Sequence, residues 1–476
     1  MKSNFMRTLL ALFFLGLSFC LDIDSSVWTN EKYSRSIDLT NSFVKEICLL
    51  EVSNSGDRPE SEYYFAINDG AGLIPRISVM SIELGDVSTD LKPIKVDQGI
   101  YKVVLPAPIS PKSTVQLNVI YVYTNTLTPF PEKLELPEAQ TLLLKMNKLA
   151  YSPYVTKSYS LNLIGVSKIE EIDPNLGEGV QVSKNAPQLE AQASGLSVTF
   201  GPTTDAIAPY TLAPTRILYE HNRPLVRVAE LERSIWLPAT DVEKVSFEEY
   251  YEVINKAAKL PHGFLRAEWM KNRLDGKRNH WSLSFLQFAF TPDNRFDDYY
   301  YTDHVGVVST HKFQGPNLLI KPRYPLFGGW KYNFTLGWTS AVQNYIHRAK
   351  IDKNTYVVKF PILNTLVDVS YDKVYLNFYL PEYSEFVSFS SPVDHSELKV
   401  SNEISYLDVS KGHVKVSVEF EDVVDDLSKL DAFVVFKYKK SFFWWKLAKL
   451  SGSVFLLSVL YYVICQIDIS IGRKSQ

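Results

Sequence analysis

Six side chains in one short stretch form the densest group in this chain that chemistry could use: Asp293, Asp297, Asp298, Asp303, His304 and His311. Carboxylates and imidazoles are ligands for divalent cations. Their spacing fits no calcium loop and no zinc set, so a solvated loop leading into a strand at Val305–Thr310 is expected instead. The carboxylate pairs Glu248-Glu249 and Asp425-Asp426 are adjacent in sequence. On a strand, neighbours face opposite ways, so neither pair makes a shared acid/base site. There is no Gly-x-Ser-x-Gly, no phosphate-cradling glycine loop and no metal-spaced Cys/His set. No catalytic, cofactor-binding or metal-ligating residue is assigned, and the chain does not read as an enzyme.

One modification signal stands apart. Asn333-Phe334-Thr335 is the single Asn-x-Ser/Thr sequon, an acceptor for N-glycosylation if the chain is lumenal. It follows Arg323–Tyr332, where Gly328-Gly329 allow a bend among packed aromatics.

The elements that must position these residues are set by a membrane. Leu450–Ile467 runs 18 residues without a charge. At 1.5 Å per residue it spans about 27 Å, enough for a thin bilayer core. Phe442-Phe443-Trp444-Trp445 precede it and suit the headgroup layer. At the other end, Lys2 and Arg7 lead into the apolar run Leu9–Leu17, with Ser18 and Cys20 as small residues before a cleavage point. That is the pattern of a secretory signal peptide. Signal plus late span predicts a type I protein with residues 468–476 in the cytosol. Lys437, Lys439, Lys440, Lys446 and Lys449 lie on the N-terminal flank, against Arg473 and Lys474 after the span, so the positive-inside rule alone favours the reverse. The cleavable signal takes precedence, because it commits the chain to translocation first.

Composition narrows the class. Hydrophobic content of 46%, with 13% aromatics, makes a packed chain long enough for two or three domains, and a net charge of −3 gives no reason to expect nucleic acid. Of three cysteines, Cys20 leaves with the signal and Cys465 is in the span. Cys48 is then the one lumenal thiol and is expected to be buried, which fits a sheltered resident of the secretory pathway better than an extracellular protein.

The chain also repeats itself. Arg35-Ser36-Ile37-Asp38-Leu39 returns as Arg233-Ser234-Ile235-Trp236-Leu237, each followed by an alternating strand, Val44–Val52 and Val245–Val253. Val103–Pro106 is echoed by Leu318–Pro322, Leu161–Leu163 by Leu376–Phe378, and Ser197–Phe200 by Ser417–Phe420. Turn residues recur at short intervals between runs rich in Val, Ile, Tyr, Phe and Thr. The expected fold is mainly β: two tandem antiparallel β-sandwich-like domains at 21–228 and 229–440, with few helices. They lie between a signal at 1–20 and a juxtamembrane and transmembrane segment at 441–467. A helix is expected at Pro137–Ala150, from Leu142, Leu143, Met146 and Leu149, and a loop at Asn175–Ser194.

At Arg323–Trp338 (RYPLFGGWKYNFTLGW), with Tyr300–Thr310 (YYTDHVGVVST), Leu231–Pro238 and Phe247–Leu260, the chain closely resembles the ribophorin I family, its fungal members most. This family is subunit 1 of the eukaryotic oligosaccharyltransferase. The resemblance implies a non-catalytic subunit of the endoplasmic reticulum complex that moves a glycan from dolichyl diphosphate to Asn-x-Ser/Thr. It implies as partners a catalytic multispanning subunit, small membrane subunits, nascent polypeptides and the translocon. No cofactor or catalytic residue carries over; Asn333 does, as a glycan-bearing site. On the residues alone, a type I membrane receptor or cargo-binding protein stays open.

Overall fold

A computed structural model describes residues 23–68, 73–85, 89–172, 183, 186–239, 244–274, 280–289, 296–350, 352–405 and 407–467. The expected signal, the turns at Asp69-Gly70 and Thr291–Asn294, Asp293, much of Asn175–Ser194 and the tail 468–476 lie outside these.

The first half holds β1 (Trp28–Asp38), β2 (Val44–Asn54), β3 (Glu60–Ala66), β4 (Ile77–Leu84) and β5 (Thr89–Leu91). It continues with β6 (Ile94–Asp97), β7 (Ile100–Ile109), β8 (Thr114–Tyr123), β9 (Thr128–Pro129) and β10 (Thr141–Asn147). β11 (Val155–Ile164), β12 (Ile169–Ile172), β13 (Ala191–Ser194), β14 (Ser197–Phe200) and β15 (Pro214–Glu220) complete it. The second half opens with β16 (Val226–Trp236), β17 (Lys244–Asn255), helix α1 (Arg266–Leu274), β18 (Leu286–Ala289), β19 (Asp297–Asp303) and β20 (Gly306–Val307). Then come β21 (His311–Gln314), β22 (Asn317–Ile320), β23 (Lys331–Ala341), β24 (Ile346–Arg348) and β25 (Thr355–Pro361). It ends with β26 (Ser370–Leu380), β27 (Glu385–Ser390), β28 (Glu397–Glu403), β29 (His413–Val424), β30 (Asp431–Lys437) and helix α2 (Ser441–Gln466).

Among the described residues the two halves have one strand plan. The large sheets run β13-β14-β11-β1-β2-β8-β4-β5 and β28-β29-β26-β16-β17-β23-β19-β20. The smaller ones run β12-β15-β10-β9 against β27-β30-β25-β24, and β3-β7-β6 against β18-β22-β21. Each strand of the second half is its first-half counterpart moved on by the same step. The register agrees: β1 bulges between Asn30 and Lys32, β16 between Val228 and Glu230, and Arg35 lies opposite Leu161 as Arg233 lies opposite Leu376. One echo is displaced: Leu161 pairs with Phe200 but Leu376 with Val418, so Phe200 answers to Val418, two residues before Phe420. Pairing is antiparallel apart from β1 with β11 and β16 with β26.

Side chains from all three sheets of a half meet in one core, Tyr33, Phe65 and Leu144 in the first, Leu231, Phe288 and Val358 in the second. The expected helix at Pro137–Ala150 is instead β10. Leu142, Leu144 and Met146 are buried and alternate with more open positions. That stretch fits period two as well as period 3.6, and the full ladder with β15 decides between them. Likewise β13 forms at the end of the expected loop, as a hairpin with β14. The strand expected at Val305–Thr310 shrinks to the two-residue β20, because Asp303 turns the chain by accepting the Val305 and Gly306 amides.

The halves bind each other through partly buried polar contacts. The Ser42 amide donates to Asp368, whose own amide donates to Asp425, and Asn125 donates to Asp372. Phe43 and Val122 of the first half enter the core of the second. α2 leaves the second half with no buried residue and is long and apolar enough to cross a membrane.

Candidate functional site

The site begins where the apolar helix joins the β half. Beyond β26, Pro381–Ser384 makes a tight turn in which the Ser384 amide donates to the Pro381 carbonyl. This turn holds Glu382 inward, where the Val409 amide and the Ser410 amide and hydroxyl donate to its Oε1 at 3.0, 2.9 and 2.6 Å. Asp408 is fixed beside it by the Ser405 amide at 2.8 Å, with His413 Nε2 at 3.3 Å. Both carboxylates are shut away from solvent. Lys446, on the second turn of α2, reaches in between them, 2.6 Å from Glu382 Oε2 and 3.0 Å from Asp408 Oδ1. Burial alone would raise the Glu382 carboxyl; hydrogen bonds from Lys446, Ser410 and Val409 outweigh it and hold the group below its usual range. Around this ion cluster Phe442 packs on Tyr383 and Tyr438, and Lys449 donates to the Tyr383 hydroxyl. The result is a charged clamp at the base of the helix. It fixes a membrane-sized helix to a β domain and leaves the apolar surface of that helix uncovered.

Asn333 is the third residue of β23, opposite Glu252 of β17, on the outer face of the large sheet. Its Nδ2 donates to the Tyr250 hydroxyl at 2.9 Å and approaches Glu252 at 3.4 Å. The bend before it uses the paired glycines as expected. Gly329 has φ +82°, and a Cβ on Gly328 would overlap the Ala257 and Ala258 carbonyls.

The acid cluster that heads the sequence reading comes apart into ordinary pairs. Lys244 takes Asp298 at 2.9 Å and stands 3.7 Å from Asp297, while Arg323 takes Asp303, lowering its carboxyl by that hydrogen bond. His311 packs edge-on against Tyr299. Among the described residues no three of His, Cys, Asp and Glu come together as a metal site.

What the sequence reading missed is charge in the core. Arg35 donates to both Glu46 oxygens at 2.7 Å and to the Asn147 carbonyl at 2.6 Å, all fully buried. Arg233 Nε stands 2.7 Å from Glu249 Oε1 and its Nη1 donates to the Pro361 carbonyl. Each arginine thus ties its large sheet to the end of the matching small-sheet strand, β10 or β25. Parity was the available signal, since Arg35 shares its strand face with Tyr33 and Ile37, both buried. Cys48 is fully buried next to Asn68, whose Nδ2 is 3.7 Å from its sulfur.

Residues 28–465 match the family described as Ribophorin I. A Schizosaccharomyces pombe protein named dolichyl-diphosphooligosaccharide–protein glycosyltransferase subunit 1 is 27% identical over 455 residues, covering 93% of this chain and 96% of the relative. The Caenorhabditis elegans protein of that name is 25% identical over 468 residues, 96% of this chain and 75% of its own length. Subunit 1A of Arabidopsis thaliana is 26% identical over 465 residues, covering 93% and 71% respectively. A match this continuous takes in both β halves, the clamp and nearly all of the apolar helix: the chain belongs to the ribophorin I family.

Proposed function

We propose that this protein is subunit 1 of the oligosaccharyltransferase complex, a non-catalytic member that holds a multispanning catalytic subunit and small membrane subunits together and presents acceptor polypeptides. The observation that carries the reading is the full-length kinship to proteins so named, joined to the clamp. A long apolar helix with no buried residue, its stretch from Val454 to Ile464 exposed, needs lipid or partner helices around it. A clamp between that helix and a β domain transmits membrane partnership to a domain outside it.

The two halves, near 21–228 and 229–440, are lumenal in this reading, behind a cleaved signal. Lys446 is matched by two carboxylates, but Lys437, Lys439, Lys440 and Lys449 still flank the span on this side against Arg473 and Lys474, so the signal carries the orientation in this reading. Asn333 carries a glycan added before β23 pairs with β17, since the folded side chain already donates to Tyr250.

Purification of the tagged chain from microsomes in mild detergent tests this. Recovery of a multispanning glycosyltransferase subunit with peptide-glycosylating activity is expected. Recovery of the chain alone, without such activity, overturns the reading in favour of a type I receptor. Asn333→Gln should remove one glycan's mass on a gel; unchanged mobility means the site is unused.

A further inference from the structure

The two halves part company between their second and third strands. The first half crosses from β2 to β3 with residues 55–59, whereas the second inserts 256–285 between β17 and β18. Described residues of that insertion, from Phe264 to Met270 and from His280 to Phe285, form a cleft of about 710 Å³ with the first half's Pro137 and Pro224. Ligand sites favour such junctions between domains.

Its walls are apolar and shaped by rings: Phe264, Trp269, Met270, Phe285 and Tyr324 line it. Trp269 is held edge-on by Phe327 and His280, and His280 is tied to the Leu136 carbonyl at 3.1 Å. The walls are therefore braced from behind. Met270, Phe285 and Tyr324 remain exposed.

One further feature points to an occupant. The charge is one-sided: among the described residues Arg266, Lys321 and Arg323 line the cleft and no carboxylate does. Arg323 is already matched by Asp303. Neither Arg266 nor Lys321 is engaged by a carboxylate among the described residues.

We propose that this cleft binds an extended polypeptide segment in which an apolar side chain sits beside a carboxylate. The apolar group enters between Trp269, Met270 and Tyr324, and the carboxylate meets Arg266 and Lys321. A neutral glycan would leave both cations unmatched. For its biological occupant the proposal rests on the acceptor-presentation reading above; its chemistry rests on the cleft alone.

The test uses the full-length protein in detergent and short fluorescent peptides, a Phe-Glu pair in a Gly/Ser frame against the same frame with Phe-Lys, read by anisotropy. The Phe-Glu peptide should bind at least about tenfold more tightly and weaken with salt. Arg266→Glu with Lys321→Glu, both surface changes, should reverse that preference. Equal binding of the two peptides, no effect of the charge reversal, or displacement by a neutral high-mannose glycan overturns it. The charge-reversed variant should still co-purify with the complex. Loss of peptide preference with partners retained isolates the cleft. Preference retained in a chain that recovers no partners leaves the cleft standing and removes the complex.

Discussion

The two halves of this protein share one strand plan but solve the same buried problem with different residues. Arg35 lies opposite Cys48, and Arg233 opposite Glu249. The carboxylate is thus directly across the ladder in the second half and one step along the same face, at Glu46, in the first. Its other donors change too: Tyr121 and Tyr123 serve Glu46, while Tyr251 and Asn364 serve Glu249. What does not change is the arginine and the carbonyl it reaches at the end of the small-sheet strand. The fixed feature is therefore the tie between two sheets, and the acid's position is free to move along its face. A buried arginine cannot shed its charge, so some carboxylate must follow it.

This equivalence is most sharply broken by removing the arginines. Arg35→Met and Arg233→Met should each cost about 3–5 kcal/mol, because either leaves a carboxylate buried without its cation. The pairs Arg35→Met/Glu46→Leu and Arg233→Met/Glu249→Leu should recover most of that loss. Denaturant unfolding of the full chain reads both. If one half loses stability and the other does not, the two ties are not the same device.

A second difference is that only the second half carries the clamp. Lys446→Met should leave Glu382 and Asp408 with their amide donors, and Asp408 with His413, but no ammonium between them, at about 2 kcal/mol after allowance for the partly exposed lysine. Hydrogen exchange followed by mass spectrometry should show faster exchange at 381–384 and 405–413, with the first half unchanged. Unaltered exchange there would mean that Lys446 does not hold the helix.

These devices differ in how far they can be read from the chain. Tandem halves, β class, the paired glycines and the apolar helix are legible because each depends on local pattern: alternation, positive φ and uncharged length. Residues 137–150 mislead because Leu142, Leu143, Met146 and Leu149 satisfy a helical stripe, while Leu142, Leu144 and Met146 satisfy a strand. The choice belongs to β15, some seventy residues on. The clamp is harder still. Glu382, Asp408 and Lys446 are distant in sequence and meet only once β26, β29 and α2 are in place. The cleft depends on a junction with Pro137 and Pro224, which no local pattern announces.

Where the halves meet, the sign of the expected effect reverses. Burial pushes the Asp425 carboxyl up to about 6; the Asp368 amide it accepts and Lys429 oppose that, while the charges of Asp368 and Asp426 add to it. An acid whose folded pKa lies above its ordinary value near 3.8 holds its proton more tightly when folded. Stability is thus gained as pH falls through 6 and is missing at neutral pH. Asp425→Asn can still accept the Asp368 amide without the buried charge. It should stabilise the protein by about 1–2 kcal/mol at pH 7, partial exposure discounted, and the gain should fade towards pH 4. Thermal melts at the two pH values test it, and destabilisation at pH 7 would mean that the charged form is what joins the halves.

The smallest effect tests how finely the halves correspond. Gly337 lies opposite Glu248 and beside Tyr300, positions that answer to Ile120, Ile47 and Ser81 in the first half. Bulk has changed places: isoleucine beside serine in one sheet, glycine beneath tyrosine in the other. A Cβ on Gly337 would lie 2.2 Å from the Tyr300 ring, so the tyrosine covers a space the glycine leaves open. Gly337→Ala should displace that ring, break its hydroxyl bond to Glu248 and cost about 1 kcal/mol, although alanine suits a strand better than glycine does. Gly337→Ala with Tyr300→Ser, which moves the pair toward the first half's arrangement, should restore it. A double variant no more stable than the single one would mean that the exchange of bulk is not what keeps the two sheets alike.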